Sequence, residues 1–316
     1  MEAEAAIGVD IGGTSLKFAA VDREGRVLRH WTRPTPAIDP SEGIMRELLA
    51  GIDKLLAELK EEAPELRVAG IGIGSAGQIH KRDGSVAFAV DTIPGYTGTP
   101  IKARVEERFP ELPTFVDNDV NVLALAEKHY GAGRELQDFV CVALGTGIGG
   151  AIVQGGRLVH GVYGGAGELG HLSVDFNGPR CSCGNYGCIE LYASGTGIER
   201  LLKERFENAA KPAWALNAAG LLNAWQSGDA LAGEAMDVVL AALGSALAGV
   251  VHALNPEAIV LGGGIVEKAP ALLAAIEDAT RSRTSPVMWK HVRLLPAIAG
   301  SRAGVIGAAA QVWQYT

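Results

Sequence analysis

The sequence predicts an α/β protein made of two related domains facing each other across a phosphate-sized cleft. Three observations carry this. Twice, a buried apolar strand runs into a turn rich in glycine and threonine and back into another strand. These turns are Asp10-Ile11-Gly12-Gly13-Thr14 and Gly145-Thr146-Gly147-Ile148-Gly149-Gly150. Around them, apolar residues recur at helical spacing. The chain has 316 residues, 48% of them apolar, which is enough for two domains with a large core.

Taken in order, Ala6 to Asp10 reads as a strand, Lys17 to Val21 as its return and Arg26 to Thr32 as a third, after the turn Asp22-Arg23-Glu24-Gly25. Ile44, Leu48, Leu49, Ile52, Leu55, Leu56 and Leu59 mark a helix, with Ser41 as the expected N-cap. Arg67 to Ile73 is a buried strand ending in glycines. Ile101 to Phe109 is a short helix, Thr114 to Val116 a strand and Val120 to His129 a helix. The pattern then restarts with the strand Phe139 to Leu144. A hairpin joins Ala151–Val153 to Arg157–Val159, and helices fill Gly195 to Leu254. The strand Ile259 to Leu261 ends in Gly262-Gly263-Gly264, and a last helix covers Ala303 to Gln314.

The net charge of −8 argues against a general nucleic-acid binder. It leaves phosphorylated ligands open, because backbone amides bind phosphate without net positive charge. The acidic start Met1-Glu2-Ala3-Glu4 has no basic region of the kind a signal peptide carries. Val238 to Leu254 is the longest apolar stretch, short of the roughly 20 residues that a membrane span needs, so it is expected to be a buried helix. Four cysteines and no export signal point to a reducing cytoplasm, where metal binding prevails over disulfides.

The densest pattern is Cys181-Ser182-Cys183-Gly184-Asn185-Tyr186-Gly187-Cys188-Ile189-Glu190, with His171 upstream. The alternatives are buried structural thiols or a disulfide, and Cys181 and Cys183 are too close to bridge comfortably. Three thiolates and one imidazole make a closed tetrahedral zinc shell with no open position. Such a site holds a loop in place. Glu168 and Glu190, beside the ligands, are the first candidates for what it positions. Cys141 and His252 read as core residues, and His80, His129 and His160 have no evident partner.

Two G-x-G-x-x-G matches, Gly72-Gly74-Gly77 and Gly145-Gly147-Gly150, lack the helix that a dinucleotide fold requires directly afterwards. What remains is a strand-turn-strand phosphate clamp. In it, glycines admit phosphate oxygens to the backbone amides, Thr14 adds a hydroxyl, and Asp10 can hold a hydrated Mg²⁺. A plain glycine hairpin with Asp10 capping a turn is the competing reading. Gly262-Gly263-Gly264 is a third point of close approach, or only a strand-to-helix turn. Asp117-Asn118-Asp119 stands at a strand end just before a helix. Capping would explain one of these residues. The functional alternative makes Asp119 a general base for a hydroxyl nucleophile, with Asn118 orienting it.

With these motifs in place, the chain resembles the ROK family (repressors, open reading frames, kinases) of the actin-like sugar-kinase superfamily. The likeness runs essentially end to end. It is carried by Asp10 to Thr14 with Lys17, by Asn118-Asp119, by Leu144 to Gly150, by Gly167-Glu168-Leu169-Gly170-His171 and by Cys181 to Glu190. The resemblance implies two actin-like, ribonuclease H-like α/β domains, residues 1–118 and 119–302. The final helix, 303–316, would pack back on the first domain, and the zinc loop, 171–190, would lie in the larger one.

The resemblance further implies an ATP-dependent hexose kinase, glucokinase-like, in which Asp119 is the catalytic base. Ser75, Gly77, Asn118, Glu168, His171 and Glu190 would bind the sugar, His171 serving zinc as well. Asp10, Gly12, Gly13, Thr14, Lys17, Thr146 and Gly147 would serve the phosphates and Mg²⁺, and Gly263 and Gly264 the nucleoside. Relatives often have proline where Ala76 stands, so the Ser75 and Gly77 contacts are less firmly implied. A homodimer or higher homo-oligomer is a family-level expectation, as is the loop Thr92 to Gly98 lining the far side of the sugar. The alternatives are an N-acetylmannosamine or N-acetylglucosamine kinase, and a sugar-responsive regulator. The regulator would need a helix-turn-helix before the first strand, where only about five residues stand.

Overall fold

In the computed structural model, which describes residues 4–36, 40–89 and 93–316, contacts divide the chain into two units. The first comprises Met1–Glu135, Gly156–Ala166 and Ile298–Thr316, and the second Leu136–Gly155 and Gly167–Ala297. Met1 to Ala3, and Thr92 at the head of the loop expected to line the sugar, lie outside the described residues.

The first unit opens with β1 (Glu4–Ile11), β2 (Ser15–Asp22) and β3 (Val27–Pro34), an antiparallel meander as the turns predict. Next come α1 (Pro40–Glu62), β4 (Arg67–Ser75), the short pair β5 (Gln78–Ile79) and β6 (Val86–Phe88), and α2 (Ile101–Arg108). β7 (Thr114–Asn118) and α3 (Asp119–Tyr130) follow. The sheet order is β3-β2-β1-β4-β7, with β4 and β7 parallel to β1. Side chains alternate across β1. Ile7, Val9 and Ile11 join Ile44, Leu48, Ile52 and Leu55 of α1 in one core. Ala6 faces the opposite side. Ser41 is not the cap expected of it: α1 already begins at Pro40, and the Ser41 hydroxyl lies 2.7 Å from that of Thr99.

The second unit holds β8 (Phe139–Leu144) and β9 (Ile148–Gln154), while β10 (Arg157–Leu158) falls in the segment grouped with the first. After these come α4 (Glu190–Ala193), α5 (Gly195–Arg205), α6 (Ala218–Gln226), α7 (Ala230–Leu254), β11 (Ala258–Gly262), α8 (Gly264–Lys268), α9 (Pro270–Arg281), α10 (Pro286–Trp289) and β12 (Arg293–Pro296). β9 runs antiparallel to β8, and β11 and β12 run parallel to it. This repeats the directions of β2, β1, β4 and β7, so the restart in the sequence is a restart of the fold. By length and composition α7 could cross a membrane. Its Met236, Val239, Leu243, Leu247 and Val251 are instead buried in the core of this unit with Ile259, Leu261 and Ile276.

The chain closes with α11 (Ala303–Tyr315), which packs on β1, β4 and α3 of the first unit. The packing is backbone to backbone. A Cβ on Gly8 would stand 2.0 Å from the Val305 carbonyl, and one on Gly72 1.7 Å from that of Ala308. Contacts also keep α3 in the first unit, because Gly307 of α11 lies against the Val122 carbonyl. In addition, the buried Glu127 carboxylate accepts the N–H groups of Ala132, Ile298 and Ala299. The junction therefore lies at Glu135–Leu136, past the expected Asn118–Asp119.

Candidate active site

Ligands of open α/β sheets bind beyond the carboxyl ends of parallel strands. In the first unit, Ile11 pairs with Ser75, and Ser75 with Asn118. β1, β4 and β7 therefore release three turns side by side at one sheet edge, and each turn carries candidate residues.

The first turn is a tight hairpin. The Gly12 N–H donates to Ser15 O at 3.0 Å, and Thr35 braces it with its N–H to Thr14 O (3.0 Å) and its hydroxyl to Gly12 O (2.6 Å). Gly13 and Thr14 are exposed. No atom lies within 4 Å of where a Gly13 Cβ would stand, so the protein's own packing does not demand glycine there. Close approach of a ligand to the backbone gives a physical reason for it. Asp10, mostly buried, pairs across the strands with Lys17 at 2.9 Å.

The second turn is Gly74 to Gly77. Ser75 is completely buried, and its hydroxyl donates to Ala76 O at 3.2 Å while lying 2.9 Å from the Tyr96 hydroxyl. The Ser75 side chain thus serves the core, which differs from the sugar contact expected of it. Burial pushes the Tyr96 phenol up to about 12, the Ser75 hydrogen bond opposing.

The third turn joins β7 to α3. Asn118 is the N-cap: its Oδ1 accepts the N–H groups of Val120 (2.8 Å) and Asn121 (3.3 Å), and its Nδ2 donates to Gly77 O (3.0 Å), tying the second turn to the third. Asp119 is the first helical residue, partly exposed, where an acidic side chain complements the positive end of α3. Asp117 is buried. Its Oδ1 accepts from Asn118 N–H (2.8 Å) and Asn121 Nδ2 (2.6 Å), and its Oδ2 lies 2.6 Å from His160 Nε2. No partner for His160 is evident in the sequence because the two residues stand 43 positions apart.

In the second unit, Gly262 pairs with Ala143, so β8 and β11 deliver the Gly145–Gly150 turn and Gly262-Gly263-Gly264 next to one another. Gly145 and Thr146 are held through their carbonyls by the Gly195 N–H (2.8 Å) and the Thr196 hydroxyl (2.9 Å). Glu190 Oε2 accepts the Ile148 N–H at 2.8 Å. Gly263 has φ +91° and packs against the Leu144 backbone, so its glycine is required by the fold. Nothing crowds the Cβ position of Gly264.

The cysteine segment folds into a knuckle, with Cys181 N–H donating to Asn185 O (2.8 Å) and Gly184 N–H to Cys181 O (3.0 Å). One donor atom from each of His171, Cys181, Cys183 and Cys188 falls within 4.8 Å of the others. Cys181 Sγ lies 3.6 Å from His171 Nδ1, and Cys183 Sγ 3.6 Å from Cys188 Sγ. A tetrahedral zinc ion with bonds of about 2.3 Å to sulfur needs donors about 3.8 Å apart, so this set fits zinc. His171 Nε2 is directed the other way, 3.9 Å from Glu168 Oε2. Burial pushes the Cys181 thiol up, but hydrogen bonds from the Cys183 amide and from the neighbouring thiols and His171 bring it to about 7. Burial and the adjacent thiols hold Cys188 well above the ordinary thiol value.

Elsewhere, His252 Nε2 accepts the Ser285 N–H at 3.3 Å, His129 lies 3.2 Å from Gln314 Oε1, and Cys141 is buried in β8.

The sequence profile of the ROK family matches residues 6–314. A glucokinase of Halalkalibacterium halodurans is 36% identical over 310 residues, covering 95% of this chain and 92% of its own. Among solved structures, a ROK hexokinase from Thermus thermophilus superposes with a TM-score of 0.84 at 32% identity, covering 98% of both chains. A ROK family glucokinase from Streptomyces griseus, crystallised in complex with glucose and AMPPNP, gives 0.80 at 33% identity, covering 98% of this chain and 99% of its own.

Proposed function

The chain belongs to the ROK family, and from that premise we propose that it is an ATP-dependent hexose kinase that phosphorylates glucose on O6. The observation that carries this reading is the release of the Gly12–Thr14 turn and the Asn118–Asp119 turn at the same sheet edge, from β1 and β7, the parallel strands on either side of β4. One is shaped for phosphate oxygens, and the other offers a carboxylate for a hydroxyl proton. The relatives named glucokinase, and the glucose and AMPPNP held by the Streptomyces griseus enzyme, support it.

In this reaction Asp119 accepts the proton of the sugar hydroxyl as that oxygen attacks the γ-phosphorus in line. Asn118 fixes the turn and directs its remaining N–H to the sugar, with Gly77, Glu168, His171 and Glu190 taking other hydroxyls. The amides of Gly12, Gly13, Thr146 and Gly147 and the Thr14 hydroxyl stabilise the charge on the transferred group. Asp10, steadied by Lys17, would hold a hydrated Mg²⁺, which would supply positive charge to the phosphates. Gly264, whose Cβ position is open, leaves room for the nucleoside, and Gly263 beside it turns the chain there. Zinc bound by His171, Cys181, Cys183 and Cys188 would cross-link the segments carrying Glu168 and Glu190 and do no chemistry itself. The same reading carries a homodimer, which light scattering checks.

The deciding measurement is ADP release with glucose, mannose, N-acetylglucosamine and N-acetylmannosamine, ranked by kcat/KM, with polyphosphate tried in place of ATP. Glucose is expected to lead. An N-acetylhexosamine leading would replace the substrate, and no sugar-dependent release would overturn the kinase reading.

A further inference from the structure

We propose that His160 is a positioning residue for phosphoryl transfer, acting through Asp117 to hold the turn that presents Asp119. The proposal rests on the reading of Asp119 as the base. Asp117 is a hub with three partners. One carboxylate oxygen takes the Asn118 N–H and the Asn121 side-chain amide, and the other takes His160. At 2.6 Å the His160 contact is a short, charge-assisted hydrogen bond, and both side chains are about nine-tenths buried. The carboxylate can only accept, so Nε2 carries the proton between them.

His160 is itself anchored. Its carbonyl accepts the Ala166 N–H at 3.1 Å, and the same segment is fixed to the β5 region by Lys81 N–H to Tyr163 O (2.6 Å) and Tyr163 hydroxyl to Gln78 (3.0 Å). Gly164 also packs against the Ile79 carbonyl, where a Cβ would stand 2.0 Å away. A rigid donor therefore faces the residue directly before the Asn118–Asp119 pair.

His160 and Asp117 also line a cavity of about 590 Å³ with Lys81, Phe115, Arg157 and Tyr315. Without the imidazole, water from this cavity hydrates the Asp117 carboxylate, so the carboxylate is not left bare and the fold survives. Hydrated, Asp117 turns away from Asn121, the first turn of α3 loosens, and Asp119 spreads over orientations that do not meet the hydroxyl. Groups that bind sugar and nucleotide from other turns are unaffected.

The test compares His160→Ala with His160→Gln, whose side-chain N–H can replace Nε2 as donor. His160→Ala is expected to lower kcat by about tenfold or more while KM for ATP stays within about twofold and KM for hexose, which Asn118 of the same turn contacts, rises less than kcat falls; His160→Gln is expected to recover most of kcat. Amide hydrogen exchange at Asn118, Val120 and Asn121, followed without substrates, is expected to quicken in the alanine variant and return in the glutamine one. Wild-type kcat in His160→Ala, a loss confined to KM, or a fall in kcat with unchanged exchange each overturns the proposal. If Asp119→Asn keeps its turnover, the reading of the base has failed, while the exchange data still report whether His160 holds the turn.

Discussion

Glu190 Oε2 accepts the backbone N–H of Ile148 at 2.8 Å, and the same oxygen lies 2.6 Å from where a Cβ on Gly147 would stand. Glu190 follows the zinc knuckle by two residues, and Ile148 closes the second glycine turn. One carboxylate thus joins a proposed sugar contact to a proposed phosphate loop within a single unit. Glu190→Ala is expected to raise KM for ATP as well as for the sugar. The rise should be about tenfold, equivalent to losing a hydrogen bond to a charged acceptor worth about 1.5 kcal/mol. Steady-state kinetics with both substrates varied would show it. An unchanged ATP KM would leave Glu190 as a sugar ligand alone.

Asp119→Asn keeps an oxygen for the Val120 N–H that Asp119 Oδ1 now accepts at 2.9 Å, so the helix start is preserved. The variant is expected to fold and to bind hexose normally by calorimetry, with kcat reduced about 10²–10⁴-fold. A kcat near wild type removes Asp119 from the role of base.

The zinc quartet predicts one tightly held metal per chain in protein purified without added metal, read by elemental analysis. Cys183 is the exposed ligand. Cys183→Ser should lower metal retention and raise sugar KM, because Glu168 and Glu190 sit on the two segments that the ligands join. Metal-free wild-type protein with full activity would sink this account.

The sequence carried the short-range patterns well. The quartet His171, Cys181, Cys183 and Cys188 and the two glycine turns are each nearly contiguous, so residue type and spacing alone expose them. What it hid is long-range pairing. Asp117 with His160, and Ser75 with Tyr96, come together only when the chain has folded, and no local periodicity marks them. The Ser41 cap was misplaced for a related reason: serine favours caps by propensity, but Pro40 suits the first helical turn and starts the helix earlier. The residues of α11 mark it as a helix, and the resemblance implies that it packs back on the first domain, but its close seat on β1 and β4 was not legible. The glycines that permit it, Gly8 and Gly72, fall inside the strands Ala6 to Asp10 and Arg67 to Ile73, and spacing alone does not show that a helix lies against them.

Tyr96 gives the fold a dependence on alkaline pH. It is fully buried, and burial raises its phenol from 10.0 to about 12. Below pH 10 the phenol is protonated in both folded and unfolded chains, and its stabilising contribution is complete. Between pH 10 and 12 the unfolded chain gives up the proton while the folded chain keeps it, so stability falls as pH rises. Two pKa units at about 1.4 kcal/mol each bring the loss to roughly 3 kcal/mol. Burial also raises Tyr130 and Tyr315 to about 12, so they add to the same limb. Tyr96→Phe should cost about 1 kcal/mol at pH 8, since the Ser75 hydroxyl loses its partner, and should shallow the alkaline limb without abolishing it. Denaturant unfolding at pH 8 and pH 11 measures both effects. If wild type and Tyr96→Phe lose the same stability over that interval, the buried phenol is not the source of the dependence.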